Sequence, residues 1–299
     1  MRTIKKRAAQ NAVQLINERN AIALFGFASA TPSTNAIPVA AEAGAVFFAP
    51  FTGSLSIRDK PNVFTIRASY RDEAERIVAF EKSVGAQNAA VLHCDDEVGR
   101  VNYETVAATL AAGTSKPKGI AIKRGAKLDA SALDAMIKAQ PQYIFATTQA
   151  DPVVNVIKAF ADQGQNVPVC ALSFVNPDEL VALLGTGGRG TVVSQVVPSP
   201  RLASSPAYPV IKECAEAIAR YNKAKLNYTN LEACIAAKVL VEGLKRTSPN
   251  PTRGSLMHAL ESMERYELGG YTVSFSSANH HGSHWVDLSI LSRDQRFVH

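Results

Sequence analysis

The sequence lacks the residue patterns by which most metal, redox and hydrolytic sites are recognised. Its four cysteines, Cys94, Cys170, Cys214 and Cys234, show neither a C-x-x-C spacing nor the Cys/His spacing of a zinc site. The chain contains no Gly-x-Ser-x-Gly segment, so nothing indicates the nucleophile of an α/β-hydrolase. These absences argue against an enzyme, and we expect neither catalysis nor a cofactor.

Long apolar runs and clustered charge are also scarce. No run approaches the roughly 18 apolar residues of a membrane span. The basic start from Met1 to Arg7 is not followed by the apolar region of a signal peptide. The net charge of +6 is scattered along the chain, which disfavours nucleic-acid binding. We therefore predict a chain that spans no membrane, binds no nucleic acid and, if its start is genuine, is cytoplasmic.

The overall composition is that of a folded protein. Of the 299 residues, 46% are hydrophobic and 19% charged, and the length is sufficient for two domains. Each cysteine lies in an apolar stretch where buried thiols are common. A disulfide between Cys214 and Cys234 would need an oxidising compartment, and packed free thiols are the favoured interpretation.

Short apolar runs alternate with helical patterns from about residue 21 to residue 197. Ala21–Phe25 and Ala45–Ala49 are typical of buried parallel strands. Ile37–Ala43, between them, predicts a short helix that ends at Gly44. Similar pairs continue up to a strand at Gly190–Val197. This alternation predicts an α/β fold, with a parallel sheet covered by helices on both faces.

The pattern changes after Pro198 to three helical segments and two alternating strands: Val210–Lys223, Asn230–Arg246, Thr252–Met263, Tyr271–Phe275 and His284–Leu291. We interpret the two strands as a terminal pair joined by the loop Ser276–Ser283. The order of elements predicts two α/β lobes that share the chain discontinuously. The predicted first lobe comprises residues 1–68 and 199–268, and the second comprises residues 69–198 and 269–299.

Small polar residues follow several predicted strands, notably in Ser29–Asn35, Thr52–Ser54, Thr148–Asp151 and Ser173–Asn176. Because the carboxyl ends of parallel strands meet at one edge of a sheet, these loops suit a cleft that holds a small ligand. The helix predicted to begin near Ser33 would direct free N–H groups and its positive dipole end at that cleft. That arrangement fits a carboxylate.

Three other clusters contain chemically active residues. Asn279–His284 holds three histidines that could ligate zinc, but a solvated loop is the favoured interpretation. Gly185–Gly190 has the composition of a phosphate loop, yet it follows a helix and precedes a strand, the reverse of the required order. Asp95–Glu97 could act as an acid–base pair or hold a cation, but it is more typical of the start of a helix near Val101.

Segments spread along the whole chain resemble a known family: Ala23–Gly26, Pro38–Gly44, Phe48–Ser54, Phe64–Glu73, Ser173–Val175, Val193–Pro198 and Leu268–Gly270 through Leu288. They are similar to the type I periplasmic substrate-binding proteins of the branched-chain (leucine, isoleucine, valine) amino acid ABC transporters. The resemblance implies two Rossmann-like lobes that close on a ligand by hinge motion. Three crossings would join the lobes, near Ala68–Tyr70, Val197–Pro200 and Gly269–Tyr271.

The resemblance also implies a function. It predicts a periplasmic binding protein that captures a small carboxylate-bearing ligand, an amino acid or a related organic acid, in a cleft between the lobes. The partners implied are ABC permease subunits, and neither metal nor cofactor is implied. The residues expected to hold the ligand are Ser29, Ala30, Thr31, Thr52, Gly53 and Ser54 from the first lobe, and Gln149, Ser173 and Phe174 from the second.

The sequence departs from the family pattern at its start. The exported signal and the first strand–helix–strand unit of family members are missing before Arg2. The resemblance therefore implies an incomplete first lobe, a start assigned too late, or strands supplied by a partner. A truncated remnant without a stable cleft is one alternative function class.

The second departure concerns the ligand. Amino-acid-binding relatives place an acidic residue at about Ser173 to hold the α-ammonium group, and aromatic residues near Val98 and Gln149 are missing. A carboxylate ligand without an α-amino group therefore remains open. Two further alternatives are a ligand-sensing domain of a receptor and a metal-dependent enzyme that uses His280–His284. The sequence does not decide the oligomeric state.

Overall fold

The chain forms two compact units, each assembled from two separate stretches. The computed structural model describes residues 2–111, 117–126, 128–185, 187–247 and 249–298. One unit comprises Met1–Ser69 and Val197–Trp285, and the other comprises Tyr70–Val196 and Val286–His299. The chain thus passes between the units three times.

Ten helices lie in the described residues: α1 (Arg2–Val13), α2 (Ala30–Glu42), α3 (Tyr70–Ser83), α4 (Glu97–Ala111), α5 (Ala130–Lys138), α6 (Ala150–Asp162), α7 (Pro177–Leu184), α8 (Pro209–Asn222), α9 (Tyr228–Arg246) and α10 (Arg253–Glu261). Helix α1 continues into a π-helical turn, Gln14–Glu18, and 3₁₀ turns cover Leu55–Ile57 and Pro200–Ser204. None of the helices in these described ranges is long and apolar enough to cross a membrane.

Twelve strands lie in the same ranges: β1 (Ala23–Phe25), β2 (Val46–Phe48), β3 (Val63–Phe64), β4 (Ala89–Cys94), β5 (Lys118–Ile122), β6 (Tyr143–Ala146), β7 (Val169–Ala171), β8 (Val192–Gln195), β9 (Tyr266–Glu267), β10 (Thr272–Val273), β11 (Asp287–Leu291) and β12 (Phe297–Val298). Strand and helix alternate up to β8, so the predicted α/β fold is confirmed.

The first unit is built on a three-stranded parallel sheet in the order β1–β2–β3. Phe48 on β2 pairs with Phe25 on β1 and with Phe64 on β3. Phe48 and Phe64 belong to a buried cluster that also contains Leu231 and Ile235 of α9. The helices after Pro209 therefore cover one face of this sheet.

The second unit holds a seven-stranded sheet in the order β12–β11–β8–β7–β6–β4–β5. Strands β4 to β8 are parallel, whereas β11 and β12 are antiparallel additions at one edge. Strands β4 and β6 are buried along their whole length. Separate buried clusters lie on the two faces of the sheet, as expected for a parallel sheet covered by helices on both sides.

The terminal strands do not form the pair expected from the sequence. Strand β10 pairs with β9, which was not predicted, and β11 pairs with β8. The predicted division after residue 268 is also wrong, because the third passage lies between residues 285 and 286. The physical reason is that Tyr271, Val273 and Phe275 are buried in the core of the first unit. These apolar residues occur at every second position because they are buried against α8 to α10, and not because the segment pairs with β11.

Helices α8 and α9 are joined by a disulfide. Cys214 and Cys234 are bonded, with their Cα atoms 5.9 Å apart. The favoured prediction of free thiols is therefore wrong for this pair, because the side-by-side packing of the two helices brings the cysteines into bonding distance. Cys94 and Cys170 are free and buried, as predicted.

Candidate functional site

Helix α2 begins directly after the first strand of the first unit. The sequence predicted a loop as far as Asn35 and a helix start near Ser33, but the helix begins at Ala30. Ala30 and Thr31 are therefore first-turn helical residues. Pro32 is compatible with this position because the first N–H groups of a helix have no partner within the helix.

The two predicted loops of the first unit lie side by side. Ala28 and Phe51 form a parallel bridge, and the N–H of Ser29 donates to the carbonyl of Phe51 at 3.3 Å. Two non-glycine residues here have positive φ, +74° at Ser29 and +47° at Ala49. Such backbone costs about 1–3 kcal/mol per residue and persists mainly at functional sites. Two of the seven non-glycine residues with positive φ among the described residues thus lie at this edge of the sheet.

The start of α2 offers hydrogen-bonding groups that no described residue satisfies. Ser29 occupies the N-cap position, but its side chain makes no capping hydrogen bond. The hydroxyl of Thr31 is buried, with the residue 6% exposed, and it has no partner within the described ranges. An uncapped helix N-terminus beside a buried free hydroxyl is a site that favours an anion.

The second loop of this unit, Thr52–Ser54, is buried and organised by its own hydroxyls. Thr52 is 2% exposed, and its Oγ1 accepts a hydrogen bond from the N–H of Ser54 at 3.2 Å. The Ser54 hydroxyl caps the following 3₁₀ turn by accepting from the N–H of Ser56. Gly53, between them, is also buried. The six residues predicted for the first lobe therefore lie at the start of α2 and in the neighbouring loop Thr52–Ser54.

A buried cation lies beneath these loops. The guanidinium of Arg67 is fully buried, 4.9 Å from the centre of the Phe51 ring, and its Nε lies 3.6 Å from Oε1 of Glu232. Arg58 donates to the carbonyl of Arg67 at 2.6 Å. These contacts fix the backbone that follows β3 close to Phe51.

In the second unit, Ser173 is held by a buried carboxylate. Both the N–H and the hydroxyl of Ser173 donate to Glu73, at 2.8 and 2.9 Å. Ser194 donates to the same carboxylate at 2.6 Å, and Glu73 is fully buried. The Ser173 hydroxyl proton is therefore already used within the second unit.

The other predicted residues of the second unit follow strands β6 and β7. Gln149 is exposed at the N-cap position of α6 and makes no side-chain cap. Phe174 is half-buried, with its ring centre 5.7 Å from that of Tyr70. Beside Gln149, the hydroxyl of Thr148 is buried and has no partner in the described part of the chain. The sequence placed Thr148 in the correct loop but did not identify it, because burial is not visible in a polar loop.

The histidine cluster is dispersed over separate partners. His280 stacks on Phe64 with ring centres 3.9 Å apart, and its Nε2 lies 3.2 Å from Glu261. The Nε2 of His281 lies 3.0 Å from Asp59. No group of three or more histidine, cysteine or acidic side chains able to hold a metal ion occurs among the described residues. The cluster is instead part of the surface of the first unit, with carboxylate partners that are distant in sequence.

The remaining two clusters have structural roles. Asp96 accepts from the N–H of Gly99 at 2.8 Å near the start of α4 and forms a bidentate pair with Arg124. The interpretation of this acidic run as a helix start is therefore supported by its geometry. The glycine-rich segment joins α7 to β8, in the order predicted from the sequence. Its residue Thr186 lies outside the described residues.

Comparison with known proteins identifies the family. The family model described as "Periplasmic binding protein" matches residues 4–291. The chain belongs to this family, whose members are binding proteins. The resemblance seen in the sequence is thereby confirmed. No curated protein matches the sequence at a significant level.

Solved structures of similar fold cover nearly all of the chain. A possible leucine/isoleucine/valine-binding protein from Rhodopirellula baltica SH 1 has a TM-score of 0.91 and 24% identity, covering 99% of this chain and 82% of that one. A substrate-binding periplasmic protein from Ralstonia solanacearum has a TM-score of 0.87 and 27% identity, covering 98% and 84%. An ABC transporter solute-binding protein from R. palustris, in complex with benzoate, has a TM-score of 0.80 and 17% identity, covering 98% and 81%.

Proposed function

We propose that this chain is a solute-binding protein that captures a small carboxylate-bearing ligand, an amino acid or a related organic acid, for an ABC transporter. The observation that carries the proposal is the uncapped start of α2, where the buried hydroxyl of Thr31 has no partner among the described residues. Membership of the periplasmic binding protein family supports the capture of a small solute.

The first unit supplies the carboxylate-binding groups in this proposal. Free N–H groups at the start of a helix and its positive dipole end stabilise an anion. Thr31 donates its hydroxyl proton to one carboxylate oxygen. Ser29, Ala30 and the loop Thr52–Ser54 surround the same group. Hydrogen bonds to an ionised acceptor are worth about 1.5–3 kcal/mol each, so a few of them suffice for specific binding.

The second unit supplies contacts to the remainder of the ligand in this proposal. Phe174 offers an apolar ring and Gln149 an exposed amide, and Ser173 lies next to Phe174 in the same loop. An ammonium group removed from water needs a carboxylate partner. The buried carboxylate of Glu73 already accepts three hydrogen bonds from Ser173 and Ser194. This favours an organic acid over an α-amino acid, and benzoate, bound by the R. palustris protein, is such an acid.

The compartment and the transporter partner belong to the same proposal. The disulfide between Cys214 and Cys234 is of a kind that persists in oxidising compartments such as the periplasm. Family membership is consistent with that location. We expect the ligand-loaded protein to deliver its cargo to permease subunits in the adjacent membrane.

A thermal-shift screen tests the proposal. Purified full-length protein is heated with leucine, valine, short aliphatic acids, benzoate and, as a matched neutral control, benzamide. At least one acid should raise the melting temperature in a concentration-dependent way, because a ligand that binds only the folded state stabilises it. A neutral amide of the best acid should have no effect. If every acid leaves the melting temperature unchanged, or if amide and acid act equally, the proposal is wrong.

A further inference from the structure

A cavity lies in the second unit, beside the edge strand β5 and helix α4. Its volume is about 560 Å³. Its lining includes His93, Arg100, Tyr103, Glu104, Lys118 and Gly119. None of the residues predicted to hold the carboxylate ligand lines it. The cavity therefore needs an explanation of its own.

The most buried of the polar side chains that line this cavity is His93. The residue is only 7% exposed, and its ring stacks on Tyr103 with centres 4.6 Å apart. Its Nδ1 lies 2.9 Å from the carbonyl of Cys94. Because a carbonyl only accepts, Nδ1 carries the proton and Nε2 carries a lone pair. No hydrogen bond joins a described residue to Nε2, so this lone pair is left for a ligand of the cavity.

The imidazole is neutral at physiological pH. Desolvation by burial lowers the pKa of His93, and the nearby charge of Arg100 lowers it further, while the Cys94 carbonyl and Asp95 act in the opposite direction. At neutral pH the cavity therefore presents Nε2 as a hydrogen-bond acceptor.

The rim of the cavity is charged, with an excess of cations. Arg100 and Lys118 are exposed and positive, and Glu104 is exposed and negative. Arg100 uses one of its five N–H donors for the carbonyl of Asp95, at 3.1 Å. The Tyr103 hydroxyl donates to the carbonyl of Pro117. The site thus combines two cationic groups with two acceptors, Nε2 of His93 and the carboxylate of Glu104.

We propose that this cavity binds the hydrogen phosphate ion. Its unprotonated oxygens accept from Arg100 and Lys118, as oxyanions do from these side chains. Its one O–H group donates to Nε2 of His93 or to the carboxylate of Glu104. The single proton of the ion thereby satisfies one of the two acceptors, which a fully deprotonated oxyanion cannot do.

The proton on the ion is the basis of selectivity. Sulfate has the same shape but no proton at neutral pH, so its oxygens would face two acceptors that they cannot satisfy. A phosphate monoester loses its last proton near pH 6, so at pH 7.5 it also lacks an O–H group that could donate to these acceptors. An acceptor left unsatisfied on a buried group such as His93 is costly, which is why a single missing donor can discriminate between ligands.

Isothermal titration calorimetry at pH 7.5 and low ionic strength tests the proposal on the full chain. We expect inorganic phosphate to bind at least tenfold more tightly than sulfate or glycerol phosphate. Arg100→Gln and Lys118→Gln should each weaken phosphate binding by about tenfold. Lys123→Gln, which removes an exposed positive charge just after β5 but outside the cavity, should bind phosphate like the wild type.

A further variant isolates the role of His93. His93→Phe keeps an aromatic ring against Tyr103 but removes Nε2, and it should lose the preference for phosphate over sulfate. Its melting temperature is recorded to show that it is folded. In the wild type, phosphate should also shift the imidazole carbon-bound proton resonance of His93. Equal affinities for phosphate and sulfate, or no binding up to about 10 mM phosphate, would overturn the proposal.

Discussion

The carboxylate of Glu73 accepts hydrogen bonds from both the N–H and the hydroxyl of Ser173, at 2.8 and 2.9 Å. Glu73 lies in the first turn of α3, whereas Ser173 follows β7, a hundred residues later in the chain. Ser194 on β8 donates to the same fully buried carboxylate. One side chain therefore fixes the loop that carries two of the predicted ligand contacts.

Removing this carboxylate should destabilise the second unit. Glu73→Ala removes the shared acceptor of three buried hydrogen bonds from Ser173 and Ser194, at a cost of about 3 kcal/mol or more in the free energy of unfolding. Glu75→Ala, at an exposed position on the same helix, is the matched control and should cost less than about 0.5 kcal/mol. Urea denaturation measures both, and equal costs would show that the three hydrogen bonds contribute nothing.

The disulfide between α8 and α9 should be a large part of the stability of the first unit. Cys214 and Cys234 are 20 residues apart, and closing a loop of that length contributes about 3 kcal/mol. Reduction by dithiothreitol should therefore lower the melting temperature of the wild type. The double variant Cys214→Ala/Cys234→Ala should melt at the lower temperature with or without the reductant. A wild type that is insensitive to the reductant would contradict the bonded state.

Arg253 ties three chain segments together in the first unit. Its guanidinium donates to the carbonyls of Ile16, Ala21 and Ala43, at 3.0, 3.2 and 2.9 Å. Arg253 is also the first residue of α10, where the helix dipole disfavours a cation, so its position is explained by these contacts.

Arg253→Met should lower the free energy of unfolding by about 2–4 kcal/mol, because three partly buried hydrogen bonds to carbonyls are lost together. The control is Arg246→Met. Arg246 forms a partly exposed pair with Glu242 one turn away, and such pairs contribute about 0.3–0.5 kcal/mol. Chemical denaturation should separate the two variants clearly. A loss at Arg253 no larger than the loss at Arg246 would refute the anchoring role.

Glu81 should make stability depend on pH. Burial raises the pKa of Glu81 above 4.5, and the hydrogen bond from the thiol of Cys170, at 3.1 Å, offsets this only in part. Between its unfolded and folded pKa values the folded state retains a proton that the unfolded state has lost. The contribution of this group is therefore fully present at low pH and is lost as pH rises through that window.

Glu81→Gln removes this ionisation while keeping the shape of the side chain. The stability of the variant relative to the wild type should increase from about pH 4 upward and become constant once Glu81 is fully ionised in the folded wild type. Denaturation curves from about pH 4 to pH 8 measure the trend. Glu75→Gln on the same helix is the exposed control. If the free energy of unfolding of Glu81→Gln relative to the wild type stays constant or falls as pH rises, the raised pKa of Glu81 is contradicted.

The sequence predicted the fold well where local pattern and tertiary packing agree. The buried strands Ala89–Cys94 and Tyr143–Ala146 are apolar runs interrupted only by His93, and a sheet covered on both faces can bury them. The start of α2 was missed because the Ser/Thr-rich stretch with Pro32 is typical of a loop. The helix tolerates that proline only because the residue lies in the first turn, where no N–H partner is lost.

The hydrogen-bond and ion-pair partners that are distant in sequence could not be predicted from local patterns. The carboxylates next to His280 and His281 come from Glu261 and Asp59, which no spacing rule would associate with them. The engagement of Ser173 by Glu73 was hidden for the same reason. Strand Tyr266–Glu267 is two residues long and carries no alternation, so the pairing partner of Thr272–Val273 could not be inferred.

The most direct test of the proposed function is the affinity of the best acid from the thermal-shift screen for two threonine variants of α2. Thr31→Val removes the buried hydroxyl that has no partner in the described part of the chain, whereas Thr34→Val, one turn away, removes a hydroxyl that donates to the helix carbonyl of Thr31. Calorimetry should show Thr31→Val binding the acid about tenfold more weakly, a loss of roughly 1.4 kcal/mol, with Thr34→Val close to the wild type. Unchanged affinity in Thr31→Val, in a protein that still binds the acid, would contradict the assignment of the carboxylate site to the start of α2.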